Sequence, residues 1–101
     1  MDIVYSINNV PIRLTEERWI HIVENHDDLA GYYEEVLKTV EEPDYIIKGY
    51  KGALIALRKI KNKFLAVVYK ELKQNDGFII TAYFTGKIKL NREAIIWRRK
   101  H

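Results

Sequence analysis

Two apolar runs joined by a short polar turn constrain this chain more than any other feature. Phe64 to Lys70 reads F-L-A-V-V-Y-K, Asn75-Asp76-Gly77 follows as a turn, and Phe78 to Thr85 reads F-I-I-T-A-Y-F-T. Both runs read as strands. On the second, alternation puts Phe78, Ile80, Ala82 and Phe84 on one face and Ile79, Thr81, Tyr83 and Thr85 on the other. The first set reads as core and the second as a face carrying hydroxyls. Beside the Tyr69-Lys70 end of the first run, these hydroxyls combine donors with a cation, as a phosphate-bearing ligand requires. Thr and Tyr are also ordinary strand formers, and for this strand alone that plainer reading is the stronger one.

Upstream, Asp2 to Ile7 and Val10 to Leu14 are extended runs around Asn8-Asn9, a pair that tolerates positive φ and predicts a hairpin. Thr15 then suits a helix N-cap. Glu16 and Glu17 fall in the first turn, where the helix dipole favours acids, and Trp19, Ile22, Val23 and His26 recur at helical spacing. At roughly 100° per residue, His21 points away from His26. Asp27 or Asp28 is expected to cap a second helix with Leu29, Tyr33, Val36, Leu37 and Val40 on its core side, ended by Pro43-Asp44. Strands are expected at Tyr45 to Lys48, Ala53 to Lys59, Phe64 to Lys70, Phe78 to Thr85 and Ala94 to Arg98. Helices followed by an antiparallel meander predict an α+β domain. The expected form is an N-terminal hairpin and two helices packed on one face of a four- to five-stranded antiparallel sheet.

The 101 residues, 48% of them apolar, allow one domain over residues 1–101 with a single modest core. Absence of cysteine excludes disulfides and thiolate metal sites. Met1-Asp2 opens on an acid, and no apolar run approaches membrane-spanning length, so a cytoplasmic protein is expected, with no membrane partner. The net charge of +3 is small but uneven. Acids such as Glu16, Glu17, Glu24, Glu34, Glu35, Glu41 and Glu42 crowd the first half. Bases such as Lys59, Lys63, Lys70, Lys87, Lys89, Arg92, Arg98 and Arg99 crowd the second, as a polyanion-binding surface requires and as scattered solubilising lysines would also produce. No glycine loop for phosphate, Gly-x-Ser-x-Gly elbow or two-metal cluster is present, and neither a metal nor a cofactor is expected.

Five stretches resemble one known family: I-R-L-T-E-E-R-W-I-H-I-V-E-N-H (Ile12 to His26), G-A-L-I-A-L-R (Gly52 to Arg58), F-L-A-V-V-Y-K, G-F-I-I-T-A-Y-F-T (Gly77 to Thr85), and I-W-R-R (Ile96 to Arg99). With E-E-P-D at Glu41 to Asp44, the series is similar to the phage-type branch of the barnase, colicin-nuclease and RelE-like (BECR) ribonuclease superfamily. The resemblance implies a small α+β, metal-independent endoribonuclease, deployed as a toxin or in phage conflict. It also implies RNA partners such as tRNA or ribosome-associated mRNA, and an antitoxin or immunity protein. Trp19, His21, Ile22 and His26 match the family's helix pattern, although Asp27 stands where the family usually has Pro. Arg58 and Lys70 match basic strand positions. Thr81 and Thr85 match hydroxyl positions, and Tyr83 a position that also accepts Phe.

Cleavage of RNA by its own 2′-hydroxyl needs a base, an acid, and cations or donors for charge growing on phosphorus. The candidate catalytic residues are His26, His21, Lys70 and Thr81. Arg58 and Lys70 would hold phosphate, Thr85 would donate to it, and Tyr69 or Tyr83 would stack a base. Each has a plainer role: a single histidine on an apolar helix face is more often packed core, His21 is by default solvated, and Trp19 and Trp97 read as core. Beside the nuclease stand two other readings, a non-catalytic RNA-binding module and a protein-interaction domain or homodimer built on the sheet's edge or bare face.

Overall fold

The computed structural model describes residues 1–86 and 94–100, so the expected basic positions Lys87, Lys89 and Arg92 lie outside the described residues. The first element is the expected hairpin, in which β1 (Asp2–Tyr5) runs antiparallel to β2 (Pro11–Leu14). Ser6 holds the turn. Its buried hydroxyl accepts from the amides of Asn8 and Val10, each at 3.3 Å, and donates to the Glu71 carboxylate at 2.5 Å. Asn9 takes the left-handed conformation, φ 62°, that asparagine tolerates better than most residues.

Thr15 caps α1 (Glu16–Asn25) as expected, its hydroxyl accepting from the Arg18 amide at 3.1 Å. The second helix departs from expectation. Asp27–Leu29 forms a single 3₁₀ turn, Gly31 reverses the chain at φ 89°, and α2 (Tyr33–Glu41) starts only beyond it, capped by Tyr32 without a side-chain bond. A left-handed residue cannot lie inside a right-handed helix, so Gly31 separates Leu29 from α2.

The remaining strands are β3 (Tyr45–Lys48), β4 (Leu54–Ile60), β5 (Lys63–Lys73), β6 (Asp76–Thr85) and β7 (Ile95–Arg98). From β3 to β6 they form the expected antiparallel meander. The sheet around that meander is different: seven strands in the order β1-β2-β6-β5-β4-β3-β7, with β2 parallel to β6. The expected four- to five-stranded antiparallel sheet, with a hairpin and two helices packed on one face, is therefore incorrect. The hairpin is part of a mixed seven-stranded sheet, and β7 joins the outside of β3 rather than following β6.

Gly77 explains the parallel junction. It pairs with Ile12, and a Cβ there would stand 2.5 Å from Ile12 Cδ1 and 2.7 Å from the Lys70 carbonyl oxygen. Only a residue without a side chain lets β2 come this close.

The alternation expected along β6 is also interrupted. Tyr69 pairs with Ile79 and Val68 with Thr81, which leaves Ile80 as an extra residue in a β-bulge. The bulge shifts the phase by one. Ile79 and Ala82, three residues apart, both enter the core, and Phe84 packs against it. There they join Ile12, Leu14, Ile22, Leu29, Val36, Val40, Leu65 and Val67 in one apolar cluster. Alternation from Ala82 puts Thr81, Tyr83 and Thr85 on the opposite face, opposite Val68, Ala66 and Phe64. Trp19 packs on this cluster edge-to-face with Tyr33, ring centroids 5.1 Å apart, whereas Trp97 is half-buried opposite Ile46.

Candidate nucleic-acid interface

His26 closes α1, its amide donating to the Ile22 carbonyl at 2.8 Å. Its half-buried ring lies 6.1 Å from that of Tyr83, tilted by 38°. The sheet topology makes this meeting available. Pairing between β2 and β6 is confined to Ile12 with Gly77 and Arg13 with Phe78, and α1 packs along β6. Tyr83 extends from the face that also carries Thr81 and Thr85, so an imidazole from the front of the chain ends beside a phenol from its back half.

His21 is exposed elsewhere on α1, where its carbonyl accepts from the Asn25 side chain at 2.8 Å. The structure does not bring the two histidines together, in keeping with a regular helix.

The other expected residues are dispersed. Lys70 shares the face of Tyr83 but pairs with Phe78, four residues along β5 from the partner of Tyr83, or roughly 13 Å. Its Cε lies 3.8 Å from where a Gly52 Cβ would stand, on the β4 side of β5 and away from β6. Arg58 lies under α2, where its guanidinium pairs with the Glu35 carboxylate and donates to Thr39 Oγ1 at 3.3 Å. Tyr69 is fully buried, and among the described residues its hydroxyl has no hydrogen-bond partner. Burial pushes its pKa above the ordinary tyrosine value, and the nearby Glu71 charge adds to the effect. A ring in that position cannot stack on a ligand base.

A cleft of about 490 Å³, not anticipated from the sequence, opens on the same sheet face as Tyr83. Asp44, Tyr45, Lys59, Phe64, Arg98 and Arg99 line it. The Tyr45 and Phe64 rings meet edge-on with centroids 6.3 Å apart, and the Arg98 guanidinium lies 5.5 Å from the Tyr45 ring centre.

Two of the lining charges have structural partners. Asp44 accepts the Lys59 amide at 2.8 Å, and its backbone carbonyl accepts the Arg99 amide at 3.0 Å. Arg99 donates to the carbonyls of Glu42 at 2.7 Å and Pro43 at 3.3 Å. Among the described residues, no carboxylate stands within ion-pair distance of Lys59 or Arg98. Among the described residues, no carboxylate neutralises their positive charge toward the cleft. The register from Lys59 to Phe64 across the β4–β5 turn was legible in the sequence, but the pairing of Tyr45 with Arg98 joins strands far apart in the chain.

A larger hollow of about 780 Å³ runs along α1 between Thr15, Glu16, Glu17, Arg18, Ile20, His21 and Glu24. Its three glutamates oppose one arginine and would repel a polyanion. The basic cleft and the Tyr83 row are the better matched to one.

No family model, curated protein or solved structure matches this chain. No helix among the described residues is long and apolar enough to cross a membrane.

Proposed function

We propose that this domain is an endoribonuclease that takes single-stranded RNA onto the sheet face carrying Tyr83 and cuts it beside His26. The reading is carried by the contact between the His26 and Tyr83 rings, on a strand whose same face carries Thr81 and Thr85 two residues to either side. An imidazole exchanges protons near neutral pH, an aromatic ring stacks a splayed base, and hydroxyls donate to phosphate oxygens.

In this mechanism, His26 takes the proton from the ribose 2′-hydroxyl as that oxygen forms a bond to phosphorus. The bond from phosphorus to the 5′-oxygen breaks, and the departing oxygen gains a proton from the imidazolium or from water. The products are a 2′,3′-cyclic phosphate and a free 5′-hydroxyl. Thr81 donates to a non-bridging oxygen as charge grows there. These steps use the chain's own side chains, which is why a chelator is included in the test.

The test is incubation of the purified protein with single-stranded RNA and chelator, with end-group analysis of the products. The wild type should leave cyclic phosphate ends, and His26→Ala should lose about 100-fold or more of the rate, the usual contribution of a positioned acid or base. His21→Ala should stay close to wild type. Tyr83→Phe should keep most activity, while Tyr83→Ala should raise KM.

A second reading, RNA binding without cleavage, is favoured by the distance of Lys70 and the engagement of Arg58, which leave His26 without either cation assigned to phosphate. Tight binding by a wild type that leaves RNA intact would select it.

A further inference from the structure

We infer that the cleft between Tyr45, Lys59, Phe64 and Arg98 is a subsite holding one nucleotide of a single-stranded RNA, away from the bond at His26. The base lies against the Phe64 and Tyr45 rings, and its phosphate is held by Lys59 and Arg98. The subsite rests on the proposed function for its place on an RNA path, but its binding chemistry stands on its own residues.

Three observations carry it. First, the cleft joins an aromatic pair to cations that lack a carboxylate partner among the described residues. Aromatic stacking with a cationic groove is how proteins hold single strands without reading sequence. Second, its one acid is engaged: Asp44 accepts the Lys59 amide and lies 3.8 Å from the Arg99 guanidinium, so the lining presents net positive charge. Third, the cleft lies on the same sheet face as Tyr83. Phe64 pairs with Thr85, two residues from Tyr83, which makes Phe64 and Tyr83 diagonal neighbours with Cα atoms about 7–8 Å apart. Tyr83 and Tyr45 stand at the two ends of one cross-strand row through Ala66 and Leu57, three strand spacings or roughly 14 Å apart, with Phe64 two residues along β5 from that row. A chain of nucleotides can follow that row with phosphates toward Arg98.

The alternative is that Arg98 only packs on Tyr45 and that Lys59 is a solvated surface charge. In that case neither would discriminate a nucleotide from any other anion.

The experiment uses the His26→Ala protein, so that cleavage does not enter, and titrates it with oligouridylate, uridine 5′-monophosphate and inorganic phosphate. The readouts are binding affinity against salt and the backbone amide shifts. The monophosphate should move the amides of Tyr45, Lys59, Phe64 and Arg98, with inorganic phosphate giving a weaker and narrower response. Lys59→Gln with Arg98→Gln, both at exposed positions, should weaken oligouridylate binding about tenfold. It should also flatten the salt dependence of log affinity by about 0.7, the release expected from the one single-strand phosphate that the pair holds. Phe64→Leu, which keeps apolar volume, should weaken the oligonucleotide without changing the salt slope.

Unchanged oligonucleotide affinity in the double variant, or identical responses to the monophosphate and inorganic phosphate, would overturn the subsite and leave the assignment at His26 standing. No binding of oligouridylate by the unsubstituted cleft would overturn the subsite and the RNA reading together. Cleavage by wild type with normal binding in the double variant would reject only the subsite.

Discussion

Tyr69 and Arg58, expected to stack a base and to hold phosphate, are both committed to the fold. The hydroxyl of Tyr69 is buried without a partner among the described residues, a situation costing about 1–3 kcal/mol relative to hydrogen-bonded water. Tyr69→Phe keeps the ring and removes that group. It should raise stability by about 1 kcal/mol, read in a melting experiment as a rise of several degrees for a domain of this size. Arg58 joins β4 to α2 through Glu35 and Thr39, with its side chain only 16% exposed and that of Glu35 42% exposed. With one partner this exposed, solvent screening reduces the pair's worth, so Arg58→Ala should cost about 1–2 kcal/mol in denaturant midpoint measurements. Its RNA cleavage per folded molecule should be unchanged. Residue type and strand position were visible in the sequence for both, but the bulk of α2 over Arg58 and the closure of the core over Tyr69 were not.

Local elements follow local pattern until a non-local contact overrides it. The Thr15 cap, the turn around Asn8-Asn9 and the β3–β6 meander are all written in short-range sequence, and the structure has them where the pattern puts them. The β6 alternation fails at Ile80 because a bulge inserts one residue against β5, and a one-residue slip exchanges the two faces of a strand. The parallel contact at Gly77 is the second override. Gly77→Ala should force Ile12 or the Lys70 carbonyl to move and cost about 2 kcal/mol, seen as lost stability and faster amide exchange in β2. At the start of α2, Tyr33 donates to Asp2 at 2.7 Å across to β1. Burial, with this bond and the Asp2 charge, pushes its pKa up from 10.0 to about 12. The folded state therefore holds this proton more tightly than the unfolded state. Its stabilising effect is complete below pH 10.0 and is lost as pH rises through about 12. Urea melts across that interval should show stability falling, and Tyr33→Phe should make the fall shallower, with the remaining slope including Tyr69.

At the scale of the whole molecule, β7 is the element whose place most affects the proposed interface. It supplies Arg98 to the cleft and covers the outer edge of β3. A chain ending at Gly86 would expose that edge, whose unpaired amides and carbonyls invite another strand. Such a protein should sediment as a dimer or larger species and bind oligouridylate more weakly than the full chain.

By itself, the sequence determined a hairpin, a capped helix, a strand-rich second half and acid separated from base, because capping, turn chemistry and charge order act between near neighbours. The tertiary structure decided the parallel junction, the bulge phase and the outer position of β7. It also decided the meeting of His26 with Tyr83, the departure of Lys70 and Arg58 from them, and the assembly of Tyr45, Phe64, Lys59 and Arg98. These depend on which distant strands share hydrogen bonds, and periodicity along one strand carries no information about its neighbour.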